Sequence, residues 1–212
     1  MAEIVSLAEG VAAVVRDGDT VAMEGFTHLI PFAAGREVIR PGRRELTLAR
    51  MTPDVIYDQL IGAGCARRLV FSWGGNPGVG SLHRFRDAVQ NQWPVPLEVE
   101  EHSHAGMANR YVAGASGVPF AVLRGYVGTD LPAQTESIKP ITCPFTGEVL
   151  TATDGELQKH RLAVNQLAYK VLNERSILVF PDNAQKHARA EAISIVMRRG
   201  AEAPTIGSDA KM

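Results

Sequence analysis

Hydrophobic positions recur at two spacings along the first 150 residues. Some stretches are apolar at every third or fourth position, which is typical of amphipathic helices, and others are short continuous apolar runs, which are typical of buried strands. The spacing predicts helices over residues 4–15, 33–39, 53–63 and 82–89. The apolar runs predict strands over residues 20–23, 45–50, 67–73, 97–101 and 120–124.

Strands and helices alternate in this order, so we predict an α/β fold with an open, mostly parallel sheet flanked by helices. All but three of the 20 glycines lie in residues 1–152, whereas the rest of the chain is poor in glycine and proline. We therefore divide the chain into an α/β domain over 1–152 and a helix-rich segment over 153–212. In that segment the pattern predicts helices over 158–173 and 184–198 and a strand over 177–180.

Composition excludes several classes of protein. The 22 basic and 23 acidic residues nearly cancel, so we expect no nucleic-acid partner. No apolar run reaches the roughly 18 to 20 residues needed to cross a bilayer, and the N-terminus lacks the pattern of a secretory signal. We expect a cytoplasmic protein with no membrane partner, in which Cys65 and Cys143 are reduced thiols.

A glycine-rich loop, residues 74–81, is the first candidate site because it leaves a predicted strand and enters a predicted helix. Glycines allow backbone N–H groups to approach an anion, and the following helix N-terminus favours negative charge. The spacing matches neither the dinucleotide fingerprint nor the P-loop. The alternative interpretation is a purely structural turn.

The second candidate is the acidic and histidine-rich segment that follows the strand predicted over 97–101. If that strand continued, Glu98, Glu100, His102 and His104 would share one face and could hold a divalent metal. A further ligand would have to come from elsewhere, and Gly106 indicates that the strand ends early. We therefore predict no metal, and favour an acidic turn or a carboxylate that acts as base or nucleophile.

The third candidate is the turn after the strand over 20–23. Glu24 and His28 lie close together there, on either side of Gly25 and Phe26, and a carboxylate with an imidazole can carry out acid–base chemistry. They could equally be a solvated turn residue and a partner of the backbone.

Three segments together resemble the α subunit of family I coenzyme A transferases, of the glutaconate CoA-transferase type. They are DGDTVAMEGFTHLIP at 17–31, LVFSWGGNPGVGSLHRF at 69–85 and LEVEEHSHAGMANRYVAGASGVPFAVLRG at 97–125. Their order and spacing agree with the family over about residues 4–150. The resemblance implies the fold of the CoA-transferase and sugar-phosphate isomerase superfamily.

The resemblance also implies a chemistry and a partner, the β subunit of a hetero-oligomer. Family members bind a CoA thioester as substrate, with no permanently bound cofactor, and the β subunit supplies the glutamate that forms an acyl-glutamyl intermediate with the acyl group. In this chain Glu101, with Glu100 as a further possibility, would be a catalytic carboxylate that faces the β subunit. The resemblance implies that the acyl and CoA pocket is shaped by Gly25, Phe26, Gly74, Gly75, Asn76, Gly78 and Gly80.

Two departures from the family keep alternatives open. Glu24 stands where the family has the first glycine of Gly-Gly-Phe, and typical α subunits exceed 212 residues. Some relatives instead hydrolyse ring systems of CoA-linked cyclic diketones and carry their essential glutamate in the segment that resembles 98–101. The first alternative is such a hydrolase, and the second is a truncated, non-catalytic scaffold subunit.

Overall fold

The computed structural model describes residues 5–23, 25, 30–76, 80–155, 172–173, 176–178 and 195–197. The helices are α1 Leu7–Val14, α2 Phe32–Ile39, α3 Val55–Gly62, α4 His83–Gln90, α5 His104–Ser116 and α6 Leu131–Gln134. The strands are β1 Thr20–Ala22, β2 Leu46–Ala49, β3 Ala66–Phe71, β4 Glu98–Glu101, β5 Phe120–Leu123, β6 Ile138–Thr142, β7 Val149–Asp154, β8 Leu172–Asn173, β9 Ser176–Leu178 and β10 Ile195–Met197.

Strands β1 to β4 form a parallel sheet in the order β1-β2-β3-β4. Every crossover moves in the same direction along the sheet, and right-handed crossovers then place α2, α3 and α4 on one face. The main core lies there, with Leu48, Ile56 and Leu69 fully buried. Each such side chain stabilises the fold by roughly 1.5–3 kcal/mol. The predicted α/β class with a parallel sheet is confirmed.

Local chemistry sets where the helices begin. Ser6 and Glu9 form a reciprocal cap at the start of α1, in which each side chain accepts a hydrogen bond from the other residue's backbone N–H. Asp54 accepts from the N–H of Ile56 at the start of α3, and Ser103 accepts from Gly106 at the start of α5. These caps fix the points where the chain turns away from the sheet.

Helix α5 covers the opposite face of the parallel sheet. Met107 is fully buried against Ala49 and Val70, whose side chains point away from the main core, and Tyr111 packs beside them. The sheet therefore has apolar contacts on both faces. Helix α5 starts directly after β4, so its first turn lies at the carboxyl end of the sheet.

A second, antiparallel sheet follows α5, with the order β5-β7-β6. It was not predicted, apart from β5, because β6 contains Pro140 and resembles a turn-rich segment. Strand β6 is an edge strand of this sheet, where proline is tolerated. Arg110 on α5 binds Asp154 on β7 at 2.7 Å, which ties the two sheets together.

The predictions for the segment over 153–212 agree only in part with the residues of that segment that the structure describes. Strand β7 continues to Asp154, across the predicted division at 152. Most of the two predicted helices lies outside the described residues, but Leu172–Asn173 and Ile195–Met197 are strands paired with β9. The helix predictions are wrong there, because short apolar runs do not distinguish helix from strand. The predicted strand over 177–180 is confirmed at Ile177 and Leu178.

Candidate active site at the carboxyl edge of the parallel sheet

The predicted site residues that the structure describes lie where the parallel strands end. Gly25 follows β1, Gly74, Gly75 and Asn76 follow β3, and Glu101 is the last residue of β4. Ligands of parallel α/β sheets bind at this edge. The predicted pocket residues also include Gly80, which pairs with Asn76, and Phe26 and Gly78, which lie outside the described residues together with Glu24 and His28.

Tyr57 holds the ends of β1 and β2 together. Its buried hydroxyl accepts a hydrogen bond from the N–H of Met23 at 2.9 Å and lies 3.0 Å from the carbonyl of Ala49. Gly25 comes two residues after Met23 and has φ +141°, a backbone conformation that favours glycine. The chain therefore leaves the end of β1 through a conformation that residues with a side chain rarely adopt.

The glycine-rich loop uses part of its backbone to bind its own chain. The N–H of Gly75 donates to the carbonyl of Pro53 at 3.2 Å, and that of Gly80 donates to Asn76 at 3.1 Å. The ring of Trp73 lies against Gly75, where a Cβ would come within 2.3 Å of it. These two N–H groups therefore do not face an anion, and Trp73 presents a half-exposed aromatic surface at the edge.

Glu100 and Glu101 point to opposite faces of β4, because successive side chains of a strand alternate. Glu101 pairs with Phe71 of β3, and its side chain is exposed. Its backbone carbonyl accepts a hydrogen bond from the Thr135 hydroxyl at 2.7 Å. Glu101 therefore offers a solvent-facing carboxylate on a fixed backbone.

Glu100 is buried in a network of charged and polar side chains. Its carboxylate binds Arg110 at 2.6 Å, His102 at 2.7 Å and the Ser137 hydroxyl at 2.7 Å, and it also pairs with Arg68. Burial alone would raise the pKa of Glu100, but the hydrogen bonds from His102 and Ser137 and the charges of Arg110 and Arg68 hold it well below its ordinary value. Glu100 is thus a structural anion that is buried within this chain.

Tyr126 connects this network to the turn between β4 and α5. Its buried hydroxyl accepts from the N–H of Ser103 at 3.1 Å and lies 3.2 Å from Nδ1 of His102. A Cβ on Gly106 would lie 1.5 Å from that hydroxyl oxygen, so only glycine leaves room for it. The turn that carries Glu101 and His104 is therefore held from beneath by buried groups.

Arg50, the first residue after β2, forms a second buried charge pair at the same edge. It contacts Asp54 at 2.9 Å, and its guanidinium lies over the ring of Tyr57 at 5.3 Å from the ring centre. Burial raises the pKa of Asp54, and the charge of Arg50 opposes that rise. The pair anchors the start of α3 beneath the loop that precedes it.

His104, the first residue of α5, contacts the loop after β3. Its Nδ1 lies 3.1 Å from the hydroxyl oxygen of Ser72, which in turn lies 2.6 Å from the carbonyl oxygen of Met51. The imidazole is exposed, whereas Ser72 is buried. The backbone after β2 and the side chains of Ser72 after β3 and His104 after β4 therefore meet at this point.

The hypothesis that four potential metal ligands share one face of a strand is wrong. Strand β4 ends at Glu101 and α5 begins at His104, so His104 leaves the face that Glu98 and Glu100 share. Glu98 instead contacts Arg68 at 3.3 Å, and His102 binds Glu100. No group of three or more metal-ligating side chains is found within the part of the chain that the structure describes.

The sequence analysis missed several residues that shape the site. Tyr57, Tyr126 and Arg68 were not singled out. Tyr57 lies far from every motif in sequence, and Arg68 and Tyr126 border two of the motifs but make their contacts in the site only through the fold. Gly106 was used only as the sign of a strand end. A glycine in the first turn of a helix, where its backbone conformation needs none, signals close packing and could have indicated a bulky neighbour.

Comparison with known proteins relates the sequence to one family. The sequence model of the coenzyme A transferase family matches residues 4–148. The chain is 68% identical over 152 residues to a 3-oxoadipate CoA-transferase subunit of Pseudomonas knackmussii, and the match covers 72% of this chain and 54% of that protein. It is 30% identical over 122 residues to a glutaconate CoA-transferase subunit of Acidaminococcus fermentans, and the match covers 57% of this chain and 37% of that protein.

Solved structures give the same result. The crystal structure of glutaconate CoA-transferase from Acidaminococcus fermentans superposes with a TM-score of 0.67 at 26% identity, over 72% of this chain and 53% of that one. A variant of the decarboxylase AibA/AibB superposes with a TM-score of 0.65 at 25% identity, over 81% of this chain and 74% of that one.

Two further facts concern the length of the relatives and the helices of this chain. The chain spans between about a third and about a half of the length of the curated relatives it matches. None of the helices in the described residues is long and apolar enough to cross a membrane. The family match covers more than half of the chain and the superposed structures share its fold, and the chain therefore belongs to the coenzyme A transferase family.

Proposed function

We propose that this chain is the α subunit of a CoA-transferase that, together with a β subunit, moves CoA between an acyl-CoA and a carboxylic acid. The observation that carries the proposal is the 68% identity to a protein named for 3-oxoadipate CoA transfer. On that basis 3-oxoadipate, a dicarboxylic oxo acid, is the proposed carboxylic acid. The proposed contribution of this chain to the site is the carboxyl edge of the parallel sheet, which carries Gly25, the loop from Gly74 to Asn76, and Glu101.

In this proposal the nucleophile is a glutamate of the β subunit. Its carboxylate attacks the thioester carbon, the C–S bond breaks, and an acyl-glutamyl anhydride and a CoA thiolate result. The thiolate then attacks the glutamyl carbonyl, which releases the acyl group as a carboxylate and leaves CoA on the glutamate. The acceptor acid takes the CoA by the reverse steps, so that one difficult exchange is split into easier ones.

This chain would shape the site rather than supply the nucleophile. Gly25 and Gly75 are buried and shape the backbone at the ends of β1 and β3, beside which a long substrate such as CoA would lie. Trp73 offers an aromatic surface beside it. The exposed side chain of Glu101 would face the β subunit from the end of β4. We place this unit in residues 1–152 and the complex in the cytoplasm.

The proposal is tested by producing the chain together with the β subunit of a 3-oxoadipate CoA-transferase. Purified complex is mixed with 3-oxoadipate and a panel of acyl-CoA donors, and acyl-CoA products are followed by chromatography and mass spectrometry. We expect 3-oxoadipyl-CoA to form, and hydroxylamine to release an acyl group only from the β subunit. The control complex contains the same β subunit with its own α subunit.

Absence of CoA transfer to any acid, with an active control complex, would refute the proposal. Such a result with an intact complex would favour a scaffold role for this chain. Transfer to another acid but not to 3-oxoadipate would retain the reaction and reject the substrate.

A second candidate, the hydrolysis of a ring in a CoA-linked cyclic diketone, is favoured by the position of Glu101. An exposed carboxylate at the end of a strand could act as a base on substrate or water. The structural relative named as a decarboxylase indicates that this fold supports more than one reaction. Hydrolysis without an acceptor acid, abolished in Glu101→Gln and retained in Glu98→Gln at the other end of β4, would support this candidate over CoA transfer.

A further inference from the structure

The two edges of the antiparallel sheet are protected unequally. Its strand order is β5-β7-β6, so β5 and β6 are the edge strands. Strand β6 carries the exposed residues Lys139 and Pro140, and a charge or a proline at an edge discourages pairing with another strand. Strand β5 has the sequence Phe-Ala-Val-Leu, with no charged residue, no proline and no bulge in its register with β7. The edge at β5 is therefore open to another strand.

The register of β5 with β7 determines which backbone groups point outward. One step beyond the paired residues Phe120 and Asp154, the N–H of Gly155 donates to the carbonyl of Pro119 at 2.7 Å, which makes these two a hydrogen-bonded pair. Hydrogen-bonded and non-hydrogen-bonded pairs alternate along an antiparallel ladder. The N–H and C=O groups of Phe120 and Val122 therefore point away from β7, and these four groups have no hydrogen bond within the part of the chain that the structure describes.

The side chains of the same two residues are exposed and apolar. Phe120 is 46% exposed and Val122 is 45% exposed, whereas Ala121 and Leu123, on the other face of the strand, are half-buried. Water can solvate the four backbone groups, but its contact with the two apolar side chains is unfavourable. A strand added at this edge satisfies the backbone groups and covers both side chains at once.

A second copy of β5 fits this edge in one antiparallel register. When Ala121 lies opposite Ala121 of the second copy, Phe120 lies opposite Val122 of that copy, and the reverse pair follows by two-fold symmetry. Each pair then exchanges two hydrogen bonds, so that all four outward groups of each copy are used. Phenylalanine meets valine on the exposed face, which is a favourable cross-strand pair. Arg124 lies opposite Val118 in this register, so no like charges face each other.

We propose that two copies of this chain associate by antiparallel pairing of β5, which joins two three-stranded sheets into one six-stranded sheet around a two-fold axis. The fit of this edge to itself indicates a second copy as the occupant, because each β5 supplies the backbone groups and apolar side chains that the other needs. The net charge of -1 adds little repulsion between the copies. This association does not depend on which reaction the protein catalyses.

The association is measured by sedimentation equilibrium of the full chain over a range of concentrations, and we expect a reversible equilibrium between monomer and dimer. Val122→Pro removes two of the four intermolecular hydrogen bonds. It removes none to β7, because the N–H of Val122 points outward, and proline is tolerated at such an edge position. We therefore expect the association constant to fall by about 10- to 100-fold.

Val122→Lys tests the same edge without a change in the backbone, since lysine at an edge strand discourages pairing. The matched control is Val149→Lys, which places the same charge on an exposed valine of the central strand β7. We expect the first variant to abolish the dimer and the second to retain it. Circular dichroism establishes that each variant is folded, and Val122→Lys decides the result if Val122→Pro does not fold.

The register is tested with Ala121→Cys in a Cys143→Ser background, in which the buried Cys65 is the only other thiol. The two copies of residue 121 form a non-hydrogen-bonded pair in the proposed dimer. Their Cα atoms are then about 4.5 Å apart, which a disulfide can bridge. Mild oxidation should give a covalent dimer, whereas Val149→Cys in the same background should stay monomeric after denaturation.

A chain that is monomeric at every concentration, or a dimer that persists in Val122→Lys, would overturn the proposal. Absence of a covalent dimer in Ala121→Cys would overturn it as well. The same variants are then mixed with the β subunit. If the parent chain is monomeric and Val122→Lys prevents binding of the β subunit while Val149→Lys does not, the edge of β5 binds the β subunit and pairing with a second copy is refuted.

Discussion

Glu100 and Glu101 are neighbours on one strand and have opposite environments. Glu100 is only 4% exposed and binds two arginines, a histidine and a serine, whereas the side chain of Glu101 is exposed and its backbone carbonyl is bound by Thr135. The alternation of β4 separates them, and helix α5 buries one face. The buried carboxylate holds the strand end in place, and this leaves the exposed one available for chemistry.

The matched variants Glu100→Gln and Glu101→Gln test most directly whether the two carboxylates have different roles. Loss of the buried charge leaves Arg68 and Arg110 without their shared anion, so we expect the free energy of unfolding to fall by about 3–5 kcal/mol. Glu101→Gln should change it by less than about 0.5 kcal/mol. Denaturant unfolding followed by circular dichroism measures both. Equal effects would show that the network around Glu100 does not support the fold.

The dependence of stability on pH tests the role of the buried Glu100 in a second way. The pKa of Glu100 is held below its ordinary value in the folded chain, so its stabilisation is present above the unfolded value of about 4.3 and is lost as the pH falls toward the folded pKa. The difference in stability between the parent protein and Glu100→Gln should therefore shrink by up to about 1.4 kcal/mol per pH unit below about pH 4. Urea titrations at several pH values measure this. A constant difference would contradict the assignment.

The sequence predicted part of this comparison and not the rest. Alternation along residues 97–101 placed Glu98 and Glu100 on one face, and the structure agrees. Which face is buried depends on Arg110, Tyr126 and Ser137, which come from later elements and carry no local signal in the strand. The glycine loop was located correctly because turn chemistry is local, but the use of the Gly75 N–H by Pro53 depends on tertiary packing.

Tyr126→Phe tests how the buried network holds the turn after Glu101. The change removes only the hydroxyl, which leaves the N–H of Ser103 and Nδ1 of His102 without that partner. We expect a loss of about 1–3 kcal/mol in the free energy of unfolding, the cost of an unsatisfied buried group. A loss below about 0.5 kcal/mol, the usual range of a surface substitution, would remove Tyr126 from the network.

The smallest effect on the free energy of unfolding is expected at an ion pair on the surface. Its contacts are as short as those of Glu100. Arg124 binds Glu148 through two contacts of 2.7 and 2.6 Å between β5 and the start of β7, and both side chains are exposed. The hydrogen bonds to Arg124 lower the pKa of Glu148, as the network lowers that of Glu100. Water and salt screen the exposed pair, so Glu148→Gln should leave the denaturation midpoint almost unchanged, and any shift should vanish in high salt. Glu100→Gln measured in the same salt series should keep its effect. If the surface variant were as destabilised as the buried one, bond length rather than burial would govern these carboxylates, and the contrast between Glu100 and Glu101 would lose its physical basis.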